Sequence, residues 1–85
     1  MSKQEYLICM EIYNKLKEYI EGSLFTTVIN DTLVVHIYPL RGLKYKYEYK
    51  GLSYEIIGNE INTDKIVRII VNDYKDFIMK RFFRR

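Results

Sequence analysis

Hydrophobic residues recur with helical spacing over the first twenty positions of the chain. They form one stripe when drawn on a helix: Ile8, Cys9, Ile12, Tyr13, Leu16, Tyr19 and Ile20. Ser2 and Glu5 have the spacing of a capping box, in which each side chain accepts a hydrogen bond from the other residue's backbone N–H. Gly22 suits the left-handed conformation that ends many helices. The pattern predicts a helix that follows Ser2 and runs to about Glu21.

The next stretch, "SLFTTVINDTLVVHIY", is rich in β-branched residues on both sides of Asn30 and Asp31. This composition predicts a β-hairpin with a two-residue turn. Such a turn sets the pairs Leu24 with Ile37, Thr26 with Val35 and Val28 with Leu33. These residues form the more apolar face of the hairpin, which we expect to contact the helices.

"KYKYEYK", residues 44–50, alternates tyrosine with charge and predicts a third strand after the turn "PLRG". Two registers are open. If Tyr38 pairs with Leu43, the tyrosines lie on the open face of the sheet. If Ile37 pairs with Leu43, the tyrosines lie in the core, with Tyr45 beside Val35. Burying the charged side chains would cost several kcal/mol unless each found a partner, so we expect the second register.

Residues 51–59, "GLSYEIIGN", fit either a short helix or a fourth strand, and we favour the helix because Ser53 and Gly58 supply start and stop signals. A last helix is predicted from a cap at Asn62 or Thr63 to about Phe83. Its main apolar face comprises Ile66, Val67, Ile70, Tyr74, Phe77 and Ile78. A weaker stripe comprises Ile69, Asn72, Asp76, Met79 and Phe83.

The predicted fold is a single α+β domain over residues 1–85. It consists of a helix, a three-stranded antiparallel meander, a short helix or fourth strand, and a long C-terminal helix. Both long helices are expected on one face of the sheet, which leaves the other face open.

Composition adds limits on location and chemistry. The chain is 48% hydrophobic and 29% charged, as is ordinary for a globular domain. Cys9 is the only cysteine, which suits a reducing compartment. The N-terminal residues lack the charged-then-apolar pattern of a signal peptide, and no apolar run reaches the ~18 residues of a membrane span. We therefore expect a cytoplasmic protein.

Nothing in the spacing of reactive side chains indicates catalysis. His36 is the only histidine, and metal sites need several ligands, so we expect no metal and no cofactor. Cys9 lies on the apolar helix stripe and is interpreted as core rather than as a nucleophile paired with His36. We predict that the protein is not an enzyme and has no small-molecule substrate.

Basic charge is concentrated at the C-terminus. Residues 74–85 carry a net charge of +4, whereas the rest of the chain sums to −1. The predicted partner is a host protein or a second copy of the chain. The alternative is nucleic acid, bound through the basic tail and the sheet face. Double-stranded-RNA-binding domains share the element order, but their last helix begins with a lysine-rich stretch, whereas "NTDKIVRII" has one lysine beside Asp64.

Two candidate binding surfaces follow. The first is the open sheet face: Phe25, Val34, His36, Lys44, Lys46 and Glu48. The second, for binding or self-association, is the tail with one residue of the weaker stripe: Ile69, Met79, Lys80, Arg81, Phe82, Phe83, Arg84 and Arg85.

The segments "INDTLVVHI", "LKYKYEYK" and "KIVRIIVNDYKDFIMKRFF" resemble small phage and prophage proteins of low-GC Gram-positive bacteria. The shared features are a short hairpin, a Tyr/Lys strand and a last helix that ends in Tyr-Lys-x-Phe and a Phe pair, here Tyr74, Lys75, Phe77, Phe82 and Phe83. The resemblance implies a phage setting in the host cytoplasm and a role such as inhibition of host defence, as by anti-CRISPR proteins. It supplies no catalytic residue. Because the chain is not acidic, an inhibitor of this type would bind a protein surface by shape and apolar contact.

Overall fold

The computed structural model describes residues 2–58 and 60–82, and it has the predicted α+β fold. A 3-10 helix, Leu52–Glu55, follows the third strand. The other elements, in chain order, are α1 Lys3–Leu16, β1 Ser23–Ile29, β2 Thr32–Tyr38, β3 Tyr45–Lys50, β4 Ile56–Ile57, β5 Glu60–Ile61 and α2 Thr63–Phe82. The main sheet is antiparallel with the order β1-β2-β3, and β4 pairs with β5 in a separate small sheet.

α1 begins as predicted and ends earlier than predicted. The capping box is present, since the Glu5 N–H donates to Ser2 Oγ over 3.1 Å and the Ser2 N–H donates to Glu5 Oε1 over 2.9 Å. The helix ends at Leu16 rather than near Glu21 because the next turn tightens: the Glu18 N–H donates to the carbonyl of Lys15, three residues back. Tyr19 is therefore 66% exposed, and its assignment to the core stripe is wrong.

Gly22 joins the end of this turn to β1 in a conformation that a side chain would obstruct. Its φ is +105°, and a Cβ at this position would lie 2.5 Å from the carbonyl oxygen of Tyr38. The glycine thus lets the chain pass close to the end of β2 as it enters the sheet.

The predicted hairpin is confirmed, including its register. Asn30 and Asp31 both have positive φ, 49° and 60°, as a type I′ turn requires. Leu24 pairs with Ile37, Thr26 with Val35, and Val28 with Leu33.

The tyrosines of β3 face the core, as predicted, but the register differs by two residues. Ile37 pairs with Tyr45 instead of Leu43, and Val35 pairs with Tyr47. A shift of two residues keeps every side chain on its face. The connection is longer because a turn from Leu40 to Leu43 closes with a 3.1 Å backbone hydrogen bond and places Leu43 in a buried position before β3.

The ambiguous segment contains both a short helix and a strand. The 3-10 helix has Gly51 at its N-cap, whereas Ser53 lies inside it and is held by Asp31 of the hairpin turn. The Ser53 N–H donates to Asp31 Oδ1 over 2.7 Å, and the Ser53 hydroxyl donates to Oδ2 over 2.8 Å. β4 follows at once and pairs with β5, a strand that the sequence pattern did not predict.

α2 begins at Thr63, where the Asn62 side chain caps it by accepting a 3.1 Å hydrogen bond from the Lys65 N–H. Lys15 joins the two helices, because its ammonium group donates to Thr63 Oγ1 over 2.7 Å and to Asp64 Oδ1 over 2.8 Å.

The core lies between one face of the main sheet and the two long helices. Its fully enclosed side chains, each less than 2% exposed, are Ile12, Leu16, Leu33, Val35, Ile37, Leu52, Ile66 and Ile70. Val67 is also buried, and so is Val71, which lies outside the predicted stripe. Tyr74 and Phe77 are half-buried and pack against this core. The opposite face of the sheet has no helix against it among the described residues.

Candidate binding surface

The strand register arranges the open sheet face in rows that cross all three strands. Phe25, His36 and Lys46 form one row, because Phe25 pairs with His36 and His36 pairs with Lys46. Thr27, Val34 and Glu48 form the next row, which the register sets in the same way. Five of the six residues predicted for this surface therefore lie on two neighbouring rows.

Phe25 is the main apolar group of this face. It lies on the outer strand β1 and is 60% exposed. Its ring meets Tyr38 edge to face at a centroid distance of 6.0 Å, and Tyr38 is itself 38% exposed. The pair holds an aromatic surface in one orientation while leaving it in contact with water.

His36 lies in the middle of its row and is half-buried. Burial lowers the pKa of its imidazole below the ordinary value, and the positive charges of Lys44 and Lys46 lower it further. The neutral imidazole, with one donor and one acceptor nitrogen, is therefore the form this surface favours at neutral pH.

Polarity changes across the face from β1 to β3. Ile29, like Phe25 on β1, is exposed, whereas β3 presents Lys46, Glu48 and Lys50. Val34, a predicted surface residue, is only 6% exposed because it lies on the central strand between Thr27 and Glu48. The surface thus has an apolar half and a charged half.

Lys44 lies just before β3 and lines a different depression. That depression is shared between β3 and α2 and is lined by Lys44, Tyr45, Lys46, Asp73, Asp76, Phe77 and Lys80. Three lysines and two aspartates line it, and one of the lysines, Lys80, forms an ion pair with Asp76.

Ile69, which was grouped with the tail residues, lies in the first half of α2 and is half-buried. Met79 and Phe82 are 61% and 51% exposed near the end of α2. Lys80 forms an ion pair with Asp76 over 3.0 Å, one turn earlier, and Arg81 is exposed. Phe83, Arg84 and Arg85 lie outside the described residues.

The tyrosines of β3 are occupied in holding the molecule together. Tyr45 is 3% exposed and its hydroxyl donates to Asp73 on α2. The Tyr49 hydroxyl donates over 2.7 Å to Glu55, which also contacts Lys65. Burial, and then the bond to Glu55, raises the pKa of Tyr49 to about 12. These rings are therefore not arranged as a stacking platform for nucleic-acid bases.

Cys9 and His36 do not come together in the fold. Cys9 belongs to the core between the helices and the sheet, whereas His36 projects from the opposite face, so the sheet separates them. Burial also raises the pKa of the Cys9 thiol, which disfavours the nucleophilic thiolate. Residues 2–58 and 60–82 contain no group of three or more His, Cys, Asp or Glu side chains that would suit a metal ion.

Among the further concave regions of the described residues, two are relevant to binding, and the sequence did not predict them. One is a groove along the outer edge of β1, lined by Tyr6, Cys9, Met10, Tyr13, Leu24, Phe25 and Thr26. The other is a cleft of about 450 Å³ between the end of α1 and the first half of α2, where Tyr19 and Val71 lie among the charged groups of Lys15, Arg68 and Lys75. The absence of charge from "SLFTTVIN" was a signal for the first region. The second depends on how the helices pack.

No helix within the described parts of the chain is both long enough and apolar enough to cross a membrane. Compared with protein-family models, with curated proteins and with solved structures, the chain matches none of them.

Proposed function

We propose that this chain is a non-enzymatic binding protein that uses the open face of its sheet to hold another protein. The observation that carries the proposal is the exposed Phe25, fixed against Tyr38 on a sheet face that no described helix covers. A large aromatic side chain held in place before binding loses little conformational freedom in a complex.

The composition of the face supports a protein partner. Protein interfaces commonly have aromatic anchors within a polar rim. Phe25 and Tyr38 would supply the anchors, and Lys46 and Glu48 the polar rim. Because this rim carries both signs of charge, it suits a protein surface better than a uniformly negative polymer.

The phage setting implied by the sequence resemblance suggests that the partner is a host protein. A phage or prophage accessory protein of this kind would inhibit a host protein, for instance a component of a defence system, by covering part of its surface. The inhibitor would act in the host cytoplasm and would need neither a cofactor nor catalysis.

The test compares binding by two single variants that each lose an exposed aromatic ring. Host proteins retained by the immobilised wild-type chain are identified, and the affinity of the purified partner is then measured by calorimetry. Phe25→Ala should weaken binding about 30-fold, the factor that corresponds to a hot spot of about 2 kcal/mol. Tyr54→Ala removes a ring that is 88% exposed on the 3-10 helix, outside the strands of the main sheet, and should leave the affinity unchanged.

Equal losses in both variants, or none in Phe25→Ala, would contradict this assignment of the surface. The nucleic-acid alternative is examined with fluorescent RNA and DNA at low salt. If the chain binds RNA or DNA with an affinity that falls steeply as the salt concentration rises, the partner is a nucleic acid rather than a protein.

A further inference from the structure

The main sheet has two outer strands that differ in charge. β1, Ser23–Ile29, has seven residues and none is charged. β3 carries Lys46, Glu48 and Lys50 among its six residues. Natural proteins commonly protect exposed edges with charges, prolines or short strands, since an unpaired strand edge can add another strand. β1 has none of these protections.

Hairpin geometry gives the direction of the backbone groups along β1. In a hairpin with a two-residue turn, the residues that flank the turn form a hydrogen-bonded pair, and such pairs then alternate along the strands. Ile29 and Thr32 flank the turn here. The N–H and C=O groups of Leu24, Thr26 and Val28 therefore point away from β2, towards the outer edge.

Apolar side chains border this edge on both sides. Tyr6 and Met10 of α1 line the groove beside it and are 54% and 42% exposed. Phe25 and Ile29 are 60% and 57% exposed on the open face. A strand added at this edge would therefore contact apolar surface above and below its backbone.

We propose that β1 pairs antiparallel with β1 of a second copy, around a twofold axis at Thr26. This register sets Thr26 opposite Thr26, Leu24 opposite Val28, and Phe25 opposite Thr27 of the second copy. The side chains of Leu24, Thr26 and Val28 face the core, whereas their backbone N–H and C=O groups point towards the second copy. These groups form about six backbone hydrogen bonds in this register. The two sheets join into one, and the homodimer is isologous, with the same surface contributed by each copy.

Charge selects this edge and favours a second copy as its occupant. Self-pairing of β3 around Glu48 sets Glu48 opposite Glu48 and Lys46 opposite Lys50, which is unfavourable. Self-pairing around Tyr47 sets Lys46 opposite Glu48, but it also sets Lys50 opposite Lys44, just before the strand. Each register therefore includes a like-charge pair. The same operation on β1 opposes only uncharged side chains. The uncharged β1 edge and the apolar side chains beside it therefore suit the same edge of a second copy, and no other partner is required.

The test introduces charge pairs and measures mass by light scattering on the purified chain alone. The wild type should double its mass from 10.3 kDa as its concentration rises. The double substitutions Phe25→Lys with Thr27→Lys, and Phe25→Glu with Thr27→Glu, oppose like charges at both pairs and should stay monomeric. A mixture of the two variants opposes unlike charges and should recover the doubled mass.

Glu48→Lys is the matched control, because it raises the net charge as much as the lysine pair does but lies on the other edge. It should dimerise like the wild type. A wild type that stays monomeric at its highest soluble concentration overturns the proposal, as does a lysine pair that still dimerises through another surface. Circular dichroism checks that the variants fold.

Should a charge variant fail to fold, hydrogen exchange on the wild type decides. The amide protons of Leu24, Thr26 and Val28 should exchange at least tenfold more slowly in concentrated than in dilute solution. Equal exchange rates at the two concentrations would contradict pairing at this edge.

Discussion

The two edge strands of the main sheet, β3 and β1, differ in the hydrogen bonds that their side chains form with the rest of the molecule. Along β3, the hydroxyl groups of Tyr45 and Tyr49 donate to Asp73 and Glu55, so this edge is tied to α2 and to the 3-10 helix. Along β1, the Thr26 hydroxyl donates over 3.2 Å to the carbonyl of Cys9 on α1. Two tyrosine hydroxyls of the charged edge thus donate hydrogen bonds to other elements, whereas one threonine hydroxyl of the neutral edge does so. Substitutions that remove these contacts one at a time measure how much each edge contributes to stability.

The largest effect is expected from Tyr45→Ala at the β3 edge. The Tyr45 ring contacts Tyr74 and Phe77, each at a centroid distance of 5.2 Å, so its removal leaves a cavity under α2. The free energy of unfolding, measured in urea, should fall by about 3–5 kcal/mol, close to the whole stability of a small domain. Tyr54→Ala, which removes an exposed ring, should change it by less than about 0.5 kcal/mol. Similar losses in both variants would show that the ring contacts do not hold the β3 edge.

A smaller effect is expected from Tyr49→Phe, which keeps the ring and removes the hydrogen bond to Glu55. The free energy of unfolding should fall by about 1 kcal/mol. Glu55→Gln alone and the double variant complete a cycle that isolates the coupling between the two side chains. Additive losses would indicate that this bond contributes nothing to the β3 edge beyond the ring contacts.

A weaker effect is expected in acid, since Glu55 remains in contact with water. The hydrogen bond from Tyr49, and then that from Lys65, lower the pKa of Glu55 in the folded state. The unfolded carboxyl binds its proton more readily, so this stabilisation is present above the ordinary pKa of 4.5 and is lost as the pH falls through the lowered value. Urea unfolding at a series of pH values should show the loss in the wild type and a flatter profile in Glu55→Gln. If the free energy of unfolding depends on pH in the same way in the wild type and in Glu55→Gln, Glu55 does not cause the loss.

The smallest effect is expected at the β1 edge from Thr26→Val. This change removes a hydroxyl donor, but the carbonyl of Cys9 lies within α1 and keeps its place in the helical hydrogen-bond pattern. The free energy of unfolding should fall by no more than about 0.5 kcal/mol. A loss as large as that of Tyr49→Phe would remove the contrast between the two edges.

The faces of the strands were predictable, whereas the register of β3 was not. The two-residue turn at Asn30 and Asp31 fixes which residues of β1 and β2 face each other. For β3, the cost of burying Lys44 and Lys46 decides which face the tyrosines take. It does not distinguish registers that differ by two residues, because both place the same side chains inside. Leu43 could be paired or could close the preceding turn, and only the assembled core selects the turn.

Short elements left no readable pattern. β4 and β5 have two residues each, too few for an alternation to be recognised. The early end of α1 arises from a tightened turn after Leu16, although the sequence up to Ile20 keeps helical spacing. Local spacing therefore gave the helix type and its start but not its last turn.

The candidate surface was predictable in its membership and not in its arrangement. Alternation placed Phe25, His36 and Lys46 on one face, and their alignment in a single row depends on the β3 register. The groove at the β1 edge required the position of α1, which brings Tyr6 and Met10 alongside the strand. The secondary-structure propensities of the residues do not determine how close α1 lies to β1.

Gly22 has a consequence for tracing the ancestry of this fold. Every other amino acid would bring a Cβ to 2.5 Å from the Tyr38 carbonyl oxygen, so substitution requires the backbone of two elements to move together. A descendant that keeps this passage should retain the glycine even after its surface has changed beyond recognition. Glycine at this position, eight residues before the two-residue turn, is therefore a feature that we expect distant relatives to share.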